Sequence, residues 1–127
     1  WDNNTGGSGQ GGDYYVYGAN DNVTLDRDDQ DGAPGTETIT ITEVRSGFNY
    51  SYSVHDYTNK GISASDNAST KLSDSGAIVT VYYNNTATKY TVPNGQGNVW
   101  RVFTFTESGG LTKVGTFTNA AREEDVY

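Results

Sequence analysis

Residues 36–42, TETITIT, alternate polar and apolar side chains and are β-branched at nearly every position, which is the pattern of a half-buried strand. The same period of two returns in residues 48–57, FNYSYSVHDY. There Phe48, Tyr50, Tyr52 and Val54 face one way, and Asn49, Ser51, Ser53 and His55 the other. Residues 99–106, VWRVFTFT, set Val99, Arg101, Phe103 and Phe105 against Trp100, Val102 and Thr104. Residues 14–18 form a short aromatic run. Residues 76–83, GAIVTVYY, are the most apolar stretch and are expected at the centre of the sheet. Residues 87–92 and 111–118 complete the set. Turn signals separate these runs at Arg45-Ser46-Gly47, Asn84-Asn85, Asn94-Gly95-Gln96-Gly97 and Ser108-Gly109-Gly110. The expectation is an all-β fold, an antiparallel β-sandwich of about seven short strands. The expected inward set is Val16, Ile39, Ile41, Tyr50, Tyr52, Val54, Ile78, Val79, Val81, Trp100, Val102, Phe103 and Phe105.

The strand over residues 36–44 follows an acidic stretch. Asp26, Asp28, Asp29 and Asp31 fall within six positions, closed by Gly32, Pro34 and Gly35. Carboxylates that close repel one another by roughly 1 kcal/mol per pair even in water. A hard cation such as Ca²⁺, which takes several oxygen ligands in a flexible loop, would offset that cost, with Glu37 or a backbone carbonyl completing the set. The spacing is not that of an EF-hand, because Asp31 stands where that loop requires glycine. The alternative is a solvated turn in which the aspartates cap their own backbone.

Composition narrows the function classes. The 127 residues contain no cysteine, so there is no disulfide framework, thiolate metal site or cysteine nucleophile. A net charge of −8 argues against nucleic acid and against an anionic membrane surface. No apolar run is long enough to span a membrane, and no signal-peptide pattern stands at the N-terminus. His55 is the only histidine, with Asp56 beside it on the opposite face of an extended strand. Asp56 with Glu107 is the one carboxylate pair worth weighing for glycosidase chemistry, which needs two carboxylates at fixed separation. No nucleophile elbow or phosphate loop is present. The expectation is a non-enzyme.

Residues 1–13 form a Gly-rich arm with Trp1 at its tip, residues 14–118 the domain, and residues 119–127 an acidic tail. The arm is too polar to order itself, so it is expected to lie against a neighbouring copy, with Trp1 as anchor. Gly6, Gly7, Gly9, Gly11 and Gly12 leave room for close backbone approach. Residues 122–127 are the competing donor. Residues 58–74 are expected to be a surface excursion without regular structure. Asn-x-Ser/Thr sequons at Asn3, Asn22, Asn49, Asn67 and Asn84 are candidate glycosylation sites in a secreted protein. Asn22, Asn67 and Asn84 are preferred, whereas Asn49 is placed within a strand.

The succession LDRDDQDGAPGTETITI, YSYSVHDYTN, SDSGAIVTVYY and TVPNGQGNVWRVFTF resembles the YfaP-like bacterial surface-domain family. The resemblance covers about residues 15–114. It implies a secreted or cell-surface β-sandwich without catalytic activity, often one module of an adhesin-like chain. The family pattern begins with an additional acidic strand, and here the Gly-rich arm stands in its place. That departure implies a sandwich one strand short, with an open edge for a neighbour to fill. The leading expectation is therefore an extracellular filament or adhesin subunit, joined head to tail by strand donation and stabilised by Ca²⁺. The alternative is a carbohydrate-binding module in which exposed Tyr and Trp stack on glycans.

Overall fold

The strand that most positions the rest is Val99–Thr106, the one strand hydrogen-bonded on both sides among the described residues. The computed structural model describes the backbone of residues 23–27 and the whole of residues 35–56 and 69–120. In chain order these hold β1 (Val23–Arg27), β2 (Thr38–Ile41), β3 (Tyr50–His55), α1 (Lys71–Asp74), β4 (Ile78–Tyr83), β5 (Thr86–Thr91), β6 (Val99–Thr106) and β7 (Gly110–Thr118). All pairings are antiparallel, as β1-β2, β3-β6-β7 and β4-β5. The fold is all-β, interrupted only by the single helical turn of α1 among the described residues.

Simple alternation fails on β6, and the ladder shows why. Tyr52 pairs with Phe103 and Ser53 with Arg101, which leaves Val102 as an extra residue on β6. On the other side Phe103 pairs with Lys113 and Arg101 with Thr116, so Val114 and Gly115 stand opposite Val102. Each strand from β3 outward thus carries one more residue than the last at this level. Gly115, at φ +70°, supplies the left-handed backbone such a bulge uses. The bulge flips the phase of β6. Trp100, Phe103 and Phe105 come to share one face, opposite Val54, Tyr52 and Tyr50 respectively. That face is the core, whereas the alternation alone puts Trp100 and Phe103 on opposite faces.

The β4–β5 hairpin packs its rings onto this face. Tyr90 stacks on Phe103 with centroids 5.5 Å apart, and Tyr52 stacks on the same ring at 5.2 Å. Tyr83 meets Phe105 edge-on at 4.9 Å. Offset and edge contacts of this kind add about 0.5–1.5 kcal/mol per pair beyond the area buried. Asn84 and Asn85, at φ +48° and +58°, make the two-residue turn whose twist suits a hairpin. Leu72 of α1 and Val92 complete the buried cluster, and Ile39 of β2 packs against it.

The segment from Pro93 to Asn98 seals one end. Ser73 Oγ donates to the Pro93 carbonyl and accepts from the Gly95 amide, and the Gly97 amide donates to the Ser69 carbonyl. A Cβ on Gly95 would run into the Phe117 ring, and one on Gly97 would lie 2.6 Å from the Thr118 carbonyl oxygen. Both glycines are set by close approach. The buried Asn98 side chain then acts as a strand neighbour for Ala120. Its Nδ2 donates to the Ala120 carbonyl at 2.7 Å, and its Oδ1 accepts the Ala120 amide at 2.8 Å. Val99 and Ala120 bury together, on the face of β6 opposite Trp100.

Several expectations need correction. The apolar stretch 76–83 is not the sheet centre: β4 pairs only with β5 among the described strands, and β6 holds the central place. Ile78 is 60% exposed because Val79, Val81 and Tyr83 take the inward positions of β4, and alternation turns Ile78 out with Tyr82. Ile41 is 39% exposed at the end of β2, where Ile39 alone carries the packing. Residues 23–27, read with the acidic turn, are a strand. Lys71–Asp74, read as irregular, is helical. Val16 and the strand at residues 14–18 lie outside the described residues.

Candidate functional site

The acidic stretch is the connection of a hairpin. β1 and β2 pair from Val23–Ile41 to Arg27–Thr38, and the ladder is irregular between Leu25 and Arg27, at Asp26. The Arg27–Thr38 pair closes a loop of residues 28–37. Asp26 lies one residue from that closing pair within β1, and Glu37 one residue from it on the loop side. Sequence separation put them eleven apart; the register brings their backbones to the same end of the hairpin. Asp28, Asp29 and Asp31 lie outside the described residues. Among the described residues no group of three or more His, Asp or Glu side chains is arranged to hold a metal.

Glu37 is exposed, yet its charge reaches the core. The Tyr52 phenol is pushed up to about 12, chiefly by burial and further by the Glu37 carboxylate. The base of the acidic hairpin and the centre of the aromatic stack are therefore electrostatically coupled. Tyr50, the neighbouring inward phenol, accepts a hydrogen bond from the Arg45 amide at 3.0 Å, fixing the turn ahead of β3. Trp100 is 1% exposed, and its Nε1 has no hydrogen-bond acceptor among the described residues.

The sequons divide. Asn84 is exposed at the tip of the β4–β5 turn, with the Thr86 hydroxyl donating to its carbonyl at 3.4 Å. Asn49 is exposed just ahead of β3 rather than within it. Asn3, Asn22 and Asn67 lie outside the described residues, as do Trp1, Gly6, Gly7, Gly9, Gly11 and Gly12 of the arm and residues 121–127.

The carboxylate pair does not form a cleft. The Asp56 amide donates to the Asn98 carbonyl at the start of β6, whereas Glu107 follows its last residue. Eight extended residues separate them by about 26 Å, against the 5–9.5 Å that glycoside hydrolysis uses. His55 is half-buried in β3, opposite Val99.

Two strand edges stand out as surfaces. Among the described residues β7 pairs with β6 alone, and beside its other edge Leu111 and Phe117 remain half-buried. Among the described residues β4 pairs with β5 alone and exposes Ile78 and Tyr82, the latter 82%. No helix among the described residues is long and apolar enough to cross a membrane. No family model, curated protein or solved structure matches this chain.

Proposed function

We propose that this chain is a structural subunit of an extracellular filament or adhesin. Its sheets form a β-sandwich one strand short, and a terminal segment of the next copy completes it. The observation that carries this reading is the edge of β7 that no described strand covers. It offers nine residues of backbone beside two incompletely covered apolar side chains, Leu111 and Phe117. A strand laid there gains main-chain hydrogen bonds and covers those side chains together. The Gly-rich arm, residues 1–13, is the donor, since it reaches roughly 40 Å when extended and obstructs nothing. Donation from each copy to the next need not close and generates an open fibre. Resemblance to the YfaP-like surface domains and the absence of cysteine accord with this role at a cell surface. Ca²⁺ held by Asp26, Asp28, Asp29, Asp31 and Glu37 would stiffen the β1–β2 hairpin.

The test is the size of the purified chain by light scattering, with and without residues 1–12. The full chain should form open-ended assemblies and the truncated chain nothing larger than a dimer. A truncated chain that forms the same assemblies, or a full chain that stays monomeric at high concentration, overturns the reading. A sugar-binding module is the second reading, favoured by the almost fully exposed Tyr82 ring. Its test is glycan binding that is lost in Tyr82→Ala.

A further inference from the structure

We propose that β4 pairs antiparallel with β4 of a second copy about a two-fold axis at Thr80, merging two hairpins into one four-stranded sheet. This interface is distinct from the β7 edge and stands whether or not strands are donated there.

The direction of the free backbone groups follows from the turn. A two-residue loop makes Tyr83 and Thr86 a hydrogen-bonded pair, so Val79, Val81 and Tyr83 direct their N–H and C=O groups to β5. Ile78, Thr80 and Tyr82 therefore point theirs outward, along the edge that no described strand covers. The same three residues carry the side chains of the solvent face, where Ile78 is 60% and Tyr82 82% exposed. Backbone and side chains are thus presented by one set of positions.

That set is self-complementary. Across a two-fold axis normal to the sheet, opposed residues must share a face. With Thr80 on the axis, Thr80 meets Thr80 of the second copy, and Ile78 meets Tyr82 in both directions. All three outward residues then form hydrogen-bonded pairs, about six bonds in total. Each exposed Ile gains an aromatic neighbour, which is a favourable cross-strand combination.

The self-complementary register selects a copy of this chain as the occupant, and charge does not oppose it. β4, IVTVYY, contains no charged residue although the chain carries −8, so two copies can meet along it without opposing carboxylates. The nearest charge on the hairpin face is Lys89, paired with Thr80 on the far strand. In the four-stranded sheet the two Lys89 residues lie about 14 Å apart, beyond the ~8 Å screening length at physiological salt. The β5 edge differs, having Lys89 and a proline two residues past its end. Lysine and proline are common guards of an exposed edge, and β4 has neither. A single strand edge covers less than the area of a standard stable interface, so the pairing is expected to be weak.

Disulfide trapping tests it. The chain has no cysteine, so Thr80→Cys introduces one thiol per molecule. Hydrogen-bonded partners lie about 5.5 Å apart at Cα, within disulfide reach. Mild oxidation of Thr80→Cys should give a covalent dimer at least tenfold faster than Lys89→Cys. Deleting residues 1–12 should leave that cross-link intact. The exposed double substitution Ile78→Lys and Tyr82→Lys should abolish the Thr80→Cys cross-link while leaving the circular dichroism unchanged. Equal cross-linking at positions 80 and 89, loss of the cross-link on truncation, or a cross-link that survives the double substitution overturns the proposal.

Discussion

Asn98 carries more structure than its polarity suggests. Its side chain satisfies both the amide and the carbonyl of Ala120 in a buried setting, and its own carbonyl accepts the Asp56 amide. Asn98→Ala orphans two buried backbone groups and should cost about 3 kcal/mol in chemical denaturation. Asn98→Asp should cost a similar amount, since a carboxylate cannot donate to the Ala120 carbonyl. Tyr52 gives a pH signature. Its folded value of about 12 lies above the unfolded 10, so the neutral phenol is favoured by folding. That contribution is complete below pH 10 and is lost as the pH rises from 10 through 12. Denaturation midpoints measured across that window should fall, and Tyr52→Phe should fall less. Glu37→Gln should move the Tyr52 titration downward in a difference absorbance measurement, because it removes the smaller of the two causes. None of the Asn98 role was legible in the sequence, where it reads as one more turn residue. Its importance depends on a partner 22 positions away.

At the scale of elements, the sequence was informative wherever short-range pattern decides. The limits of β6, the Asn84-Asn85 turn and the all-β class follow from alternation and turn chemistry. Register does not, and register chose the core. The bulge at Val102 re-aims Trp100, and only the ladder on both sides reveals it. The signal available beforehand was Gly115 inside an otherwise regular strand, since an isolated strand glycine marks a bulge. Gly115→Ala should cost about 1–2 kcal/mol for the left-handed backbone alone, read as a shift in thermal midpoint. A second element-level miss was β4, whose apolarity suggested burial. Its strand neighbours on one side are simply absent among the described residues, and half of its apolar side chains face water. The acidic hairpin was legible as a turn feeding a strand, while the strand before it was hidden by reading Asp26 with the loop.

At the scale of the molecule, two predictions concern what the domain carries. If the acidic loop holds Ca²⁺, calorimetric titration gives heat and the melting temperature falls in EDTA, because a ligand bound only to the folded state stabilises it by mass action. No heat together with an unchanged melting temperature removes the cation from the account. Glycosylation is the other. Intact mass of native material should exceed the bare polypeptide, and Asn84→Gln should remove part of the excess, given the exposure of that turn. The stack of Tyr52, Phe103 and Tyr90 also has an optical consequence. Rings held 5.2 and 5.5 Å apart pass excitation between them, and Trp100, sealed in the same cluster, collects it. Its dry indole emits toward the blue, so in Trp1→Phe, where Trp100 is the one indole left, the colour of the fluorescence reports whether the β4–β5 hairpin is seated.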